Sequence, residues 1–414
     1  MTERRRALEG IRICDFTGQL AGAGATKWLA AFGADVIRIE DPVNQGVWDI
    51  LRMMPPFPDE RRGPDFGGGF NNHNTEKRGI TLNLRTPRGK ELLAALVERS
   101  DAVTENFAAG VLDRWGFGYD ALRTIKPDIV YVSNCGFGHV GPYAKFKTWG
   151  PIVQAVSGLT FMSGLPGMEP AGWGYSYMDH TGGFYMAIAI LLALIHRQRT
   201  GEGQWVDMAC CDAGLTLNGP AILDYTVNRR PMRRAGQPNG NRSDWPRMAP
   251  HGIYRAAGDD EWVAIACRSD ADWAACVAVI DQDWARESRW STLPGRLEGQ
   301  DEIDAKLNEW CGARGKFFVQ RLFQEAGVPA GAVQKPEERI EHDPATAEFD
   351  LWPTVRHSKI GDIRVDGLPV RFSATPWSIR RGGPCLGEHT EEVLTEVLGL
   401  NAAEVAILRE QGVV

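Results

Sequence analysis

Short apolar runs alternate with helix-like segments over the first half of the chain, and this restricts its fold more than any other feature. IRICDF (11–16) reads as a buried strand, followed by the glycine-rich TGQLAGAG and a helix through Phe32; ADVIRIE (34–40) is the next strand. TPRGKELLAALVERS (86–100) is a helix with Thr86 as its cap and Pro87 at its first position, where the missing N–H is harmless. DAVTENF (101–107) is a strand, Tyr119–Ile125 a short helix, DIVYVSN (128–134) a strand, and QWVDMACC (204–211) one more. The rhythm predicts an α/β fold, a parallel sheet covered by helices.

A chain of 414 residues exceeds one small core, so about two domains are expected. The rhythm breaks at TVNRRPMRRAGQPNGNRSDWPRMAPHG (226–252), which is polar, basic and punctuated by Pro and Gly, the mark of a linker or a functional loop. GIYRAAGDDEWVAIAC then reads as a β-hairpin turning at Gly258-Asp259-Asp260, and helical pieces follow to Gln324, predicting a smaller second domain. KIGDIRVDGLPVRFSATP (359–376) is β-like again, and GEHTEEVLTEVLGL is a capped helix.

The stretch GYSYMDHTGGFYMAIAILLALIHRQRTGEG (174–203) sets Asp179 at the mouth of an apolar segment. Residues 184–195 predict a buried helix, complemented by His196, Arg197 and Arg199 near its end and stopped by Gly201. Asp is a favoured N-cap, so a plain capping role is one reading. The other is chemical. A carboxylate at a helix N-terminus is held ionised, and Gly182 and Gly183 just after it leave a ligand's approach open.

Composition narrows the classes. A net charge of -7 and a pI near 5.7 argue against nucleic acid or an anionic membrane as the main partner. MTERRRALEG is basic but lacks the apolar core of a signal peptide, and the longest apolar run, twelve residues, is too short for a bilayer. Eight cysteines without a C-x-x-C pair suit reduced thiols in a cytoplasm, with neither a disulfide framework nor a metal site.

TGQLAGAGATKWLAAFGADVIRIE has the strand–glycine–helix–strand order of a dinucleotide fingerprint. The G-x-G-x-x-G/A pattern fails, because Gly22 and Gly24 are followed by Lys27, which weakens a nicotinamide dehydrogenase reading. Five blocks in order then carry more weight: LEGIRICDFTGQLAGAGATKWLAAFGADVIRIED, NHNTEKRGITLNL, VTENFAAGVLDRWGFGYDAL, GHVGPYAKFKTWG, and the helix leading into RTGEGQWVDMA. Together they resemble the family III CoA-transferases, which include formyl-CoA, carnitine and benzylsuccinate CoA-transferases and α-methylacyl-CoA racemase. The resemblance spans nearly the whole chain and weakens between residues 225 and 325.

The resemblance implies a Rossmann-like large domain built from residues 1–225 and 329–414, a smaller inserted α+β domain with linkers at 226–328, and an interlocked dimer, homodimeric or paired with a homologue. It implies acyl-CoA and carboxylic acid substrates, no tightly bound cofactor, and coenzyme A as substrate and product. Asp179 falls where the family carries its catalytic aspartate, which would pass through an acyl anhydride and an aspartyl-CoA thioester. Gly182, Gly183 and the amides of the GQPNGN loop, with Gly236, Gln237 and Gly240, would face the oxyanions. Gly18, Gln19, Ala21, Lys77, Arg78, Asn106, Phe107, Arg114 and Lys147 match CoA-contacting positions. Three departures stand out. Asp41 replaces an Arg found in several relatives, Gly18 replaces the first-loop His of formyl-CoA transferase, and the mobile loop carries Pro238 and Asn239.

Rivals remain inside the family. The racemases' Gly-His-Asp stretch corresponds to Trp149-Gly150-Pro151, and proline cannot exchange a proton. The polar residues used around oxalate map to Leu20 and Gly150, against formyl transfer. An inactive acyl-CoA-binding subunit is a further alternative, opposed by the presence of Asp179 and its glycines. Trp149, Phe161, Trp173, Tyr175, Tyr177 and Phe184 are expected to pack the domain or to enclose an apolar acyl group, with Arg242, Arg247 and His251 meeting a second carboxylate. That pattern points to a branched or aryl-substituted dicarboxylate acceptor, with succinyl-CoA or acetyl-CoA as donor.

Overall fold

The structure, a computed structural model, describes residues 6–165, 167–174 and 176–414. Six strands form one sheet: β1 (Arg12–Asp15), β2 (Asp35–Glu40), β3 (Arg78–Thr81), β4 (Ala102–Glu105), β5 (Val130–Cys135) and β6 (Gln204–Ala209). All pairings are parallel and the order is β3-β2-β1-β4-β5-β6, the doubly wound arrangement. β1 lies at the centre, between β2 and β4. The apolar runs of β1, β2 and β5 have no polar alternation because both faces of the sheet are covered. β3, with sequence RGIT, has no such run, so sequence pattern does not announce it; Arg78 bonds Asp35 of the neighbouring strand edge at 2.7 Å.

Helices of the same unit include α1 (Ala21–Ala31), α2 (Pro87–Glu98), α3 (Val111–Trp115), α4 (Gly150–Val156), α5 (Tyr177–Thr200) and α6 (Gly219–Asn228). Thr86 caps α2, accepting from Gly89 N at 3.0 Å, as its sequence predicts. α5 packs Met186, Ala187 and Ile190 against Val130 and Val132 of β5 and Leu29 of α1. Gly183 allows the closest approach, since a Cβ there would stand 2.7 Å from the Ala21 carbonyl. At 24 residues α5 is long and apolar enough to cross a membrane by length and composition, yet this face lies in the protein core. The expectation of a fully buried helix needs correction: Phe184, Ile188, Leu192 and Ile195 are exposed along one stripe. The helix also begins earlier than its apolar run. Ser176 is its N-cap, in the left-handed region at φ 48°, and Asp179 is the third helical residue, not the cap.

The chain divides into two compact units: Met1–Phe161, Ala171–Arg230 and Pro344–Val414 in one, Met162–Pro170 and Pro231–Asp343 in the other. The second has an antiparallel sheet, β7 (His251–Arg255), β8 (Trp262–Ala266) and β9 (Ala330–Val333), in the order 7-8-9. Its core gathers Trp273, Trp290, Trp310 and Phe323. The predicted hairpin across Gly258 is β7–β8. This unit runs past residue 328, the boundary read from sequence, because β9 pairs with β8 and buried Lys316 ties Glu261 to Glu338 at 2.6 Å each.

Candidate active site

At the C-terminal edge of the sheet the chain leaves β1 and β4 in opposite directions, and such a switch point opens a crevice. A cavity of about 280 Å³ lies there. Its walls come from the loop after β1 (Gly18, Gln19), the first residue of α1 (Ala21), the loop after β4 (Asn106, Phe107), the end of β5 (Asn134, Cys135), Lys147 and Trp149 before α4, and Asp179 and Cys210. Among the described lining residues Asp179 is the one carboxylate and Lys147 the one ammonium.

The loop after β1 is held from below by buried charge. Asp15 accepts from Thr17 Oγ1 at 2.6 Å, Thr26 at 2.9 Å, Thr104 at 2.9 Å and Lys77 Nζ at 3.1 Å, all with side chains shielded from solvent. Asn106 pairs with the Gly18 peptide in both senses, its Oδ1 accepting from Gly18 N at 2.7 Å and its Nδ2 donating to Gly18 O at 3.0 Å. Asp49 accepts from Gln19 N at 3.1 Å and from Arg38 at 2.7 Å. Gln19 is thereby held at φ 53°, a left-handed conformation that a non-glycine residue adopts only when its surroundings fix it.

Asp179 faces this cavity from the first turn of α5. Burial pushes its carboxyl above the ordinary aspartate value, opposed by a hydrogen bond from Ser176 and the field of His180. Gly150, the first residue of α4, lies directly against it, for a Cβ there would stand 2.5 Å from Oδ2. Cys210 closes the floor, its thiol pushed up to about 12 by burial and then by Asp179, so it remains protonated. No histidine lines the cavity among the described residues. His180, the next residue along, meets His73 in a tilted ring contact at 5.6 Å between centroids, and burial and the Lys27 charge depress His73 to about 4. No group of three His, Cys, Asp or Glu side chains is arranged to hold a metal ion among the described residues.

A carboxylate at a switch-point cavity is one half of the identification; relatives supply the other. The model of CoA-transferase family III matches residues 8–390. The chain belongs to the family III CoA-transferases. It is 31% identical over 410 residues to the succinyl-CoA–D-citramalate CoA-transferase of Chloroflexus aurantiacus, covering 99% of this chain and 98% of that one. It is 32% identical over 420 residues to the formyl-CoA:oxalate CoA-transferase of Streptomyces coelicolor, covering 99% of each. A solved structure of a CAIB/BAIF family protein from Brucella suis matches with a TM-score of 0.85 at 29% identity, over 95% of this chain and 100% of that one. As a CoA-transferase the chain takes CoA thioesters and carboxylic acids as its substrates.

In this CoA-transferase, Gly18, Gln19, Ala21, Asn106, Phe107, Lys147 and Asp179 meet in the one cavity. Other residues implied by the resemblance do not join them. Lys77 is fully buried beneath the loop, bonded to Asp15, the Ala23 carbonyl and Asn74, out of reach of a phosphate. Arg78 is bound to Asp35, Glu392 and Glu396. Arg114 is exposed on α3 and does not line the cavity. Gly182 and Gly183 are the sixth and seventh residues of α5, beyond the four free amides of a helix start, so their N–H groups belong to the helical ladder. They serve close packing instead, with Gly182 against Cys210 Sγ and Gly183 against α1. Gly236, Gln237 and Gly240 lie in the second unit, the two glycines at φ 77° and 71° and the Gln237 amide donating to Asp244.

The aromatic expectation is also redrawn. Of the six rings, Trp149 lines the cavity; Trp173 and Tyr177 meet edge to face at 5.2 Å, Phe184 meets Trp28 at 5.6 Å, Phe161 is exposed, and Tyr175 lies outside the described residues. Trp48, Phe107 and Phe146 line it instead. Arg242 is engaged by Asp301 and Asp304, His251 contacts the Asn241 carbonyl, and Arg247 is exposed, all in the second unit. A second cavity of about 330 Å³ shares Trp48 and Phe107 with the first and is walled further by Phe16, Trp115, Asp41 and Arg85. Arg85 pairs with Asp41 at 3.2 Å, so a cation stands at the strand end where the sequence shows an acid. Asn134 and Cys210 escape sequence reasoning; each ends a strand of the sheet or follows it directly, the place where an α/β crevice draws its walls.

Proposed function

We propose that the chain moves CoA from a dicarboxylic acyl-CoA, succinyl-CoA foremost, to a branched or aryl-substituted dicarboxylic acid through covalent intermediates on Asp179. The observation that carries this reading is Asp179 itself, the carboxylate of the switch-point cavity, with glycine opposite it. A carboxylate oxygen attacks the thioester carbonyl, and the C–S bond breaks to give an aspartyl–acyl anhydride and CoA thiolate. The thiolate attacks the aspartyl carbonyl, forming an aspartyl-CoA thioester and releasing the donor acid; the acceptor then reverses both steps. Lys147 serves CoA's anionic groups from the first cavity, while Arg85 and the rings of Trp48, Phe107 and Trp115 suit its nucleotide end in the second. In this reading Lys77 and Arg78 hold the sheet edge that frames the reacting atoms.

Relatives support a diacid. One acts on D-citramalate, and a succinate–glutarate CoA-transferase of Agrobacterium fabrum is 31% identical over 96% of this chain. A relative named as a β subunit of succinyl-CoA–L-malate CoA-transferase, 30% identical, keeps a heteromeric assembly in view beside the interlocked homodimer with an inserted small domain. The exposed apolar stripe of α5 supports association of chains, and the free cysteines suit a cytoplasmic setting. Racemisation is disfavoured by Pro151 and by a cavity wall without an imidazole among its described residues.

Incubating the protein with succinyl-CoA and hydroxylamine tests the reading: Asp179 becomes the hydroxamate, and Asp179→Ala loses transfer by several orders of magnitude while still binding CoA. Transfer by the alanine variant within tenfold of wild type overturns it.

A further inference from the structure

Asn134 is the last-but-one residue of β5, paired in register with Met208 of β6. Side chains alternate along a strand, and Val130 and Val132 face α5, where they pack on Met186, Ala187 and Ile190. Asn134 continues that row toward the start of the helix. Its Nδ2 lies 3.8 Å from where a Gly182 Cβ would be, one helical turn from Asp179, and the residue lines the same cavity as Asp179. Asn134 is 3% exposed, and neither Nδ2 nor Oδ1 has a hydrogen-bond partner in the protein. An apolar residue here would extend the row of valines without penalty. A carboxamide unpaired at both ends, buried in the wall of a reacting cavity, is a group awaiting a ligand's hydrogen bond.

We propose that the Asn134 carboxamide donates from Nδ2 to the acyl carbonyl oxygen of the substrate as that carbonyl is attacked by Asp179. This rests on Asp179 being the nucleophile. In the attack an Asp179 oxygen bonds the carbonyl carbon, the carbonyl electron pair moves onto oxygen, and its return expels CoA thiolate; no proton is transferred. The negative oxygen needs a donor in place beforehand. The amides of Gly182 and Gly183 are spent within α5, those of Gly18 and Gln19 on Asn106 and Asp49, whereas Asn134 Nδ2 is a buried donor in this wall with no protein acceptor.

The test uses the full chain, succinyl-CoA and hydroxylamine, with Asn134→Leu and Asn134→Ser as variants. Removal of a preorganised donor should slow single-turnover formation of the Asp179 adduct roughly 10²–10³-fold while KM for succinyl-CoA stays within about threefold. Thermal stability should be kept or raised, because no protein partner is lost. A merely structural asparagine gives the opposite: a lower melting temperature with the adduct rate within about threefold of wild type, which overturns the proposal. The serine variant, smaller and still polar, gives the same comparison where the leucine variant fails to fold. Failure of the underlying reading looks different, since wild type itself would then form no adduct at Asp179.

Discussion

Gly150 lies directly against the Asp179 carboxylate, and a single added carbon would break the arrangement. The Cβ of any other residue at 150 would stand 2.5 Å from Oδ2 and 2.8 Å from Cγ of the aspartate. The carboxylate would have to rotate away from the path of an incoming thioester. Gly150→Ala is therefore expected to lower kcat by about 10²-fold, the usual consequence of misplacing a reacting group by an ångström. Gly150 does not adopt a positive φ, so alanine strains no backbone and the melting temperature should change little. Steady-state kinetics beside a thermal melt reads both; unchanged kcat would show that the carboxylate reacts from another position.

The same carboxylate sets a pH dependence. Burial raises its folded pKa above the ordinary 3.8, so the native state binds this proton more tightly than the unfolded chain does. Its contribution to stability is greatest below the unfolded value and is lost as pH rises through the folded one. At pH 7 the ionised Asp179 thus weakens the fold. Asp179→Asn, inactive as a transferase, should melt several degrees above wild type at neutral pH, and the gap should close as pH approaches 4. Melts of both proteins across that range check it, and a gap that widens toward acid would reverse the sign argued here. Activity should fall on the acid side at a pH above that of an ordinary exposed aspartate.

Much of the frame is legible in the chain itself. Thr86-Pro87, the strands around Ile13, Val36 and Val132, and the turn at Gly258 follow from local rules, because capping, proline geometry and two-sided burial act within a few residues. What Lys77 touches does not follow. A lysine in a matching motif is read from sequence as a phosphate ligand, but its partner Asp15 lies 62 residues away and meets it only when β1 and β3 share a sheet. Of the six clustered aromatics, Trp149 alone among the described ones lines the cavity, for a like reason: ring type shows apolar surface, not which wall it faces. Lys77→Met should leave Asp15 buried without its closest cation and destabilise the fold by about 3–5 kcal/mol, while the folded protein keeps its CoA affinity. Lys147→Ala and Arg85→Ala should do the reverse, raising KM for acyl-CoA roughly tenfold or more with the melting temperature unchanged. Chemical denaturation and kinetics on the three variants separate the roles, and a CoA defect confined to Lys77→Met would restore the reading from sequence.

The last prediction concerns assembly. Phe184, Ile188, Leu192 and Ile195 fall three or four residues apart on α5, and Leu192 is 62% exposed in the single chain. α6 buries none of its residues, and Ile222, Leu223, Tyr225 and Val227 all reach solvent. Two helices with this much unpartnered apolar surface are rarely left bare in water. A second copy, or a homologue of similar sequence, covers such surface symmetrically in a two-fold assembly. The purified chain should therefore sediment at twice its 45.7 kDa mass, with little monomer at micromolar concentration. Leu192→Glu places a charge in the middle of the stripe and should shift the distribution to monomer or sharply reduce soluble yield, with the loss of stability depending on protein concentration. Wild type that sediments as a single 45.7 kDa species at every concentration would refute the dimer and leave α5 to another partner.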